Sequence, residues 1–306
     1  IRDICVTGVQ TCALPILYVS SLATSGGYIF AGTNGGGVFE STDNGANWNI
    51  VNGGLTNLSV YKLAINSSGK IFAGTFGGGV FLSTDNGAIW NQVNNGLNPN
   101  VSSLAIINSS SVMAGTFGAG VFLSTDNGTN WSETNYGIRN INIRAVVKNG
   151  SDFFAGTQAG GIYLSQDGGD TWTAKNNGLT DSFVYTIVIN GTNIFAGTGS
   201  SGVFISTDYG DSWTAKNNGL TNLSILCLAL NGGTLLAGTS GGGIFTSTDN
   251  GANWNPINNG ITNLTIRKIV VNGVDIFVAT HAGGVFHSNN NGLSWTAVNN
   301  GLPSLS

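Results

Sequence analysis

Charge is what this sequence has least of. Asp, Glu, Lys and Arg make up 8% of its 306 residues, against roughly a quarter in soluble domains. Helices draw on Glu, Lys, Arg and Ala and tolerate glycine poorly, so a helical bundle is excluded and an α/β enzyme disfavoured. Ten basic against fourteen acidic residues leave a net charge of −4, and no basic cluster exceeds the pair Arg267–Lys268. A nucleic-acid surface needs many cations to displace counterions from phosphates, so no nucleic-acid partner is expected. Four prolines and the lack of a Gly-X-Y period exclude collagen. The longest apolar run, near Phe183 to Ile189, is too short to span a bilayer. Cysteine is scarce as well. Of Cys5, Cys12 and Cys227, only the last lies in the repetitive body of the chain, so no disulfide framework is expected.

What is abundant is glycine, 48 residues, together with Asn, Thr and Ser. A hydrophobic fraction of 41% with 9% aromatics is too apolar for a disordered chain. The combination indicates an all-β protein with many tight turns.

Residues 1–16 match nothing downstream. Within them, Val6 to Ile16 (VTGVQTCALPI) resembles a translated sequencing adapter, so this segment is expected to be non-native. The remainder, 17–306, is expected to be a fragment of a longer protein.

The seven tryptophans, Trp48, Trp90, Trp131, Trp172, Trp213, Trp254 and Trp295, are spaced 42 and then 41 residues apart. A fixed period of this size marks a repeat architecture. In the second unit, Val60–Ile65, Ile71–Thr75, Val80–Ser83 and a stretch near Trp90 to Val93 read as strands. They are separated by Asn66-Ser-Ser-Gly69, Gly77-Gly-Gly79 and Asp85-Asn-Gly87, the turn chemistry of antiparallel hairpins. A four-stranded unit of about 41 residues is the size of a propeller blade. The expected fold is an all-β, seven-bladed β-propeller with four antiparallel strands per blade. One blade cannot cover both its faces, so neighbours must bury Val, Ile, Leu and Phe between them. How the ring closes is left open, because the first unit starts on its own first strand.

One turn recurs as Ser-x-Asp-x-Gly-x-x-Trp. The copies run through Ser41, Asp43, Gly45 and Trp48; Asp85, Gly87 and Trp90; Asp126, Gly128 and Trp131; Asp167, Gly169 and Trp172; Asp208, Gly210 and Trp213; and Asp249, Gly251 and Trp254. A last copy carries Asn290, Gly292 and Trp295. This motif resembles the Asp-box, or bacterial neuraminidase repeat, of sialidase-, sortilin- and photosystem II assembly factor-like propellers. Its residues are read as structural. The Asp accepts hydrogen bonds from its own turn, the Gly takes a positive φ, and the Trp buries between sheets. Seven near-identical copies are not seven active sites, and each lacks the several carboxylates of a calcium loop.

An active site would use residues that break the repeat. The sialidase resemblance would imply three arginines converging on a carboxylate and a Tyr–Glu pair. Outside the leading segment the chain has Arg139, Arg144 and Arg267, with Glu40 and Glu133 its only glutamates, so sialidase activity is not expected. Asp152, Asp170, Asp181, Asp211 and Asp275 read as polar variation in solvated turns. His281 and His287 alone do not build a metal site, the Gly-Gly-Gly turns lack the helix and lysine of a phosphate loop, and no cofactor is expected.

The variable turns opposite the repeated motif offer a ligand face: Asn34, Phe76, Phe117, Gln158, Ser240 and His281 after Ala-Gly-Thr, with Tyr136, Arg139 and Asp181 from the linkers. The expected function is a non-catalytic, monomeric binding or scaffold propeller of an exported bacterial protein, engaging a glycan or protein. A truncated glycoside hydrolase and an assembly-factor-like chaperone are the alternatives.

Overall fold

The computed structural model describes residues 18–303; the adapter-like segment lies outside the described residues. The repeat grammar translates directly into sheets. The first blade is β1 (Val19–Ser25), β2 (Tyr28–Thr33), β3 (Gly37–Ser41) and β4 (Asn49–Ile50). The second is β5 (Val60–Ile65), β6 (Ile71–Thr75), β7 (Gly79–Ser83) and β8 (Asn91–Gln92). Five more blades follow, and each of the seven sheets is an antiparallel meander of four consecutive strands. The protein is a seven-bladed β-propeller. The outermost strand is shorter than the sequence suggests, two residues per blade. Its flanks bond elsewhere: Trp90 N–H donates to Gly53 C=O of the preceding linker at 2.7 Å.

Side chains explain why the phrase repeats. At the turn between β6 and β7, Thr75 Oγ1 donates to Gly79 C=O (2.9 Å), and Asn94 accepts from Val80 N–H while donating to Gly78 C=O. The same threonine and asparagine close this turn in every blade, as in Thr239 with Gly243 and Asn258 with Ile244. Pairing the buried ends of the turn, Thr75 and Gly79, in this way avoids the cost of orphaned backbone.

The core lies between blades. Phe30 and Val38 of the first blade pack with Leu63, Ile71, Phe81 and Trp90 of the second, and corresponding clusters recur around the ring. The last gap is filled like the others: Phe277, Val285 and Leu302 pack against Val19, Leu22, Phe39 and Trp48. Among the described residues no strand is exchanged at the closure: the first blade supplies its own β1 and the seventh its own Thr296–Ala297.

Every innermost strand carries one irregularity near its start. Pairing between β1 and β2 shifts between Val19 and Ser21, and between β5 and β6 it shifts between Val60 and Lys62. The other five innermost strands, Val101–Ile106, Ile143–Asn149, Val184–Asn190, Ile225–Asn231 and Ile266–Asn272, repeat this. A bulge leaves one residue out of the ladder and re-aims its side chain. The seven bulge residues are Ser20, Tyr61, Ser102, Arg144, Tyr185, Leu226 and Arg267.

Candidate binding site at the channel mouth

The blades surround an axial channel, and the bulges decide what lines it. All seven bulge residues, with Tyr18 and Phe117, form the wall of a cavity of about 140 Å³ at the mouth. The next residue of each strand, Ser21, Lys62, Ser103, Ala145, Thr186, Cys227 and Lys268, lines a continuation of about 250 Å³. Consecutive strand residues rise about 3.3 Å, so the channel wall is two stacked rings of seven.

These rings are not uniform. Arg144 lies under three aromatic rings, its guanidinium carbon 4.6 Å from the Phe117 centroid, 5.1 Å from Phe183 and 5.6 Å from Tyr185, each within cation–π range. Its Nη2 donates to Gln158 Oε1 at 3.0 Å. Arg267 stands over Tyr18 at 5.1 Å and reaches His281 Nδ1 at 3.2 Å. Burial and the Arg267 charge both hold the His281 imidazole below its usual pKa, and the neutral ring can accept that bond. Tyr61, Phe76 and Phe117 form a mutual aromatic cluster with centroids 5.6 to 6.2 Å apart, and Phe76 remains 47% exposed. Among the described residues lining both parts of the channel there is no Asp or Glu.

Of the residues proposed from sequence for a ligand face, the structure thus brings Phe76, Phe117, Gln158 and His281 together at the mouth. Asn34 and Ser240 are exposed in the same turns, bridged to Ser59 and Thr265 of the following linkers. Asp181 is consumed internally: it accepts from Phe183 N–H (2.9 Å), Ser200 N–H (2.7 Å) and Ser200 Oγ (2.9 Å). Tyr136 lies elsewhere, 80% exposed beside Thr171 at the outer rim, and Arg139 is exposed with its backbone N–H toward Tyr163. The residues the sequence reading passed over are Tyr18, Tyr61, Tyr185 and the lysines Lys62 and Lys268. Tyr18 lies before β1 and carries no repeat signal; for the others the sequence shows only that positions two and three of the first strand vary from unit to unit while the positions around them hold.

Of the five off-repeat aspartates, Asp170 is exposed in its turn as the sequence suggests, while the other four are partnered. Asp152 accepts from Tyr209 Oη at 2.8 Å, Asp275 meets His287 Nε2 at 2.6 Å, and Asp211 pairs with Lys175 of the neighbouring blade. Among the described residues no three His, Cys, Asp or Glu side chains converge as metal ligands do.

In the repeated turn, Ser41 Oγ donates to Asp43 Oδ1 (2.9 Å) and accepts from Gly45 N–H (2.8 Å), while Asp43 also accepts from Asn47 N–H (2.8 Å). Two successive residues are left-handed, Asn44 at φ 57° and Gly45 at 84°. The Asn290 copy keeps the pattern, accepting from Ser288 Oγ and Ser294 N–H. Every Trp is buried and its indole N–H donates to a carbonyl of the preceding blade, as in Trp90 to Val51 at 2.8 Å.

A family model described as the DUF6242 beta propeller domain matches residues 180–305. No curated protein sequence matches the chain. Among solved structures, the GH74 xyloglucanase of Xanthomonas campestris superposes with a TM-score of 0.75 at 15% identity, over 96% of this chain and 56% of that one. The extracellular domain of a putative one-component system of B. thetaiotaomicron gives 0.75 at 18%, over 90% and 39%. YCF48 bound to D1 peptide gives 0.69 at 15%, over 89% and 94%. The chain therefore spans about half or less of the first two. At these identities the likeness is one of fold, and fold does not carry function.

Proposed function

We propose that the chain is an Asp-box propeller acting as a non-catalytic binding module of an exported bacterial protein, and that it engages a glycan or protein through the channel mouth. The observation that supports this is the mouth itself: seven bulges, equivalent in backbone, present Tyr61, Arg144, Tyr185 and Arg267 beside Phe76 and Phe117. Aromatic rings with one open face stack on sugars or apolar side chains, and arginines buttressed by Gln158 and His281 fix polar groups in place. Carboxylate-pair hydrolysis needs two acids about 5 to 10 Å apart across a bond, and the described mouth lining supplies none.

The test is binding to a glycan array, xyloglucan oligosaccharides included, and to protein in pull-downs from bacterial extracts. Phe76→Ala with Phe117→Ala, and separately Tyr185→Ala, are expected to weaken the bound ligand at least tenfold with the melting temperature kept. Binding that persists unchanged through all three substitutions refutes this face. Hydrolysis of a polysaccharide by the chain would instead establish the glycosidase alternative.

A further inference from the structure

The lower ring carries an unbalanced charge. In a protein of net charge −4, four of the ten Lys and Arg residues, Lys62, Arg144, Arg267 and Lys268, line one cavity. Among the described residues neither lysine has an ion pair; those found are Lys175–Asp211 and His287–Asp275. The groups facing Lys62 from the elements around it are Lys268, Arg267, Arg144, Cys227 and the phenols of Tyr61 and Tyr185, with Tyr18 at the mouth. None is an anion at neutral pH. The arginines are held at their Nη ends by Gln158 and His281, while Arg144 Nε, Arg267 Nε and Ser103 Oγ are buried without a hydrogen-bond partner among the described residues. Unpaired buried donors and facing like charges both cost free energy, and one occupant would relieve both.

We propose that the axial cavity is an anion site, taking a compact dianionic group (sulfate, phosphate or a dicarboxylate) between Lys62 and Lys268 with the Nε edges of Arg144 and Arg267 above it. This rests on the mouth being the ligand face and adds the charge of what enters. The volume of about 250 Å³ is enough to admit such a group. The Lys268 charge, followed by burial, pulls Lys62 down to about 7. A bound dianion favours the ammonium form, so binding takes up a proton above that pH and affinity falls as pH rises.

Isothermal titration with sodium sulfate, phosphate and succinate, each in two buffers of different ionisation enthalpy, reads both effects. The expected result is 1:1 binding, with sulfate and succinate weakening up to tenfold from pH 7 to 8 and taking up close to one proton at pH 8, and phosphate, whose own second ionisation falls in this range, weakening less. Lys62→Met is expected to abolish the uptake, and Lys268→Met to weaken binding at least tenfold. A readout without ligand guards against misfolded variants. Because a depressed lysine leaves the unfolded chain binding more protons, the melting temperature should climb between pH 7 and 9, and Lys62→Met or added sulfate should flatten that climb. Failure of all three anions to bind, or binding by Lys62→Met and Lys268→Met as tight as the parent's, overturns the site. Anion binding with a blank array and empty pull-downs overturns the proposed function and leaves this site standing; the reverse pattern overturns only this site. A sulfated oligosaccharide binding at least tenfold tighter than free sulfate identifies the dianion as pendant on a chain, and equal affinity identifies it as free.

Discussion

Trp48 Nε1 donates to the backbone carbonyl of Val298 at 2.8 Å, across 250 residues of sequence. The same bond joins each neighbouring pair of blades, for example Trp213 to Lys175 at 2.9 Å. Ring closure is thus one more copy of the ordinary interface. In a repeat protein where stability sums over units and their interfaces, the closing contact should cost what any other costs. Trp48→Phe and Trp213→Phe each leave a buried carbonyl unpaired, a loss of about 1–3 kcal/mol. Chemical denaturation of the two variants is expected to agree within about 0.5 kcal/mol, the scatter between equivalent, independent sites. A Trp48→Phe variant as stable as the parent, beside a destabilised Trp213→Phe, would mean an open ring in solution.

The repeated turn predicts the acid limb of stability. Hydrogen bonds from Thr171, Ser212 and Asn253 hold Asp167, Asp208 and Asp249 at about 2. Asp43, Asp85 and Asp126 are lowered by the same kind of bonds. A carboxyl depressed below its unfolded value of about 3.9 stabilises the fold above that pH, and the contribution is lost as pH falls through the folded value. The melting temperature should therefore drop between pH 4 and 2. Asp208→Asn, which copies the pattern of Asn290, should make that drop shallower. A slope unchanged by the substitution would remove this turn as its source.

The blade was legible because its determinants are local. Gly77–Gly79 fixes a turn, Asp85 to Trp90 another, and the interval between tryptophans counts the units. The mouth was not legible, because a bulge is a property of pairing. Nothing within Val60-Tyr61-Lys62 says that Tyr61 leaves the ladder; that follows from Val60 opposing Thr75 while Lys62 opposes Gly74. Variation at Tyr61, Arg144 and Tyr185 then looks like noise on a strand, although it falls on the one ring where side chains converge. Tyr136 shows the opposite failure. Its linker belongs to the right side of the topology, yet the chain first runs along the next blade's Trp172, whose N–H bonds Tyr136 C=O at 2.8 Å.

The linker glycine gives a sharper test of interblade packing. At Gly219, φ is 90° and an added Cβ would lie 2.1 Å from the Trp254 carbonyl oxygen. Backbone is in the way, so Gly219→Ala must displace the linker that receives the Trp254 N–H bond. At Gly232 the φ of 59° is also left-handed, but nothing lies within 4 Å. Gly232→Ala is expected to cost about 1–2 kcal/mol, the left-handed penalty alone, and Gly219→Ala clearly more. Equal losses in paired denaturation curves would show that the linker relaxes freely and does not hold the blades in register.

Cys227 reports on the depth of the channel. It stands in the lower ring, 3% exposed, and burial pushes its thiol up to about 12. Since the thiolate is the nucleophile, the native thiol should be inert at pH 8 despite the cations nearby. In a variant with Cys5 and Cys12 replaced by Ser, a disulfide reagent is expected to modify almost no thiol in native buffer and one per chain in guanidinium. Rapid native modification, faster still in Tyr185→Ala, would mean that the mouth admits a bulky aromatic reagent to the level of Lys62 and Lys268, a wider passage than a compact anion requires.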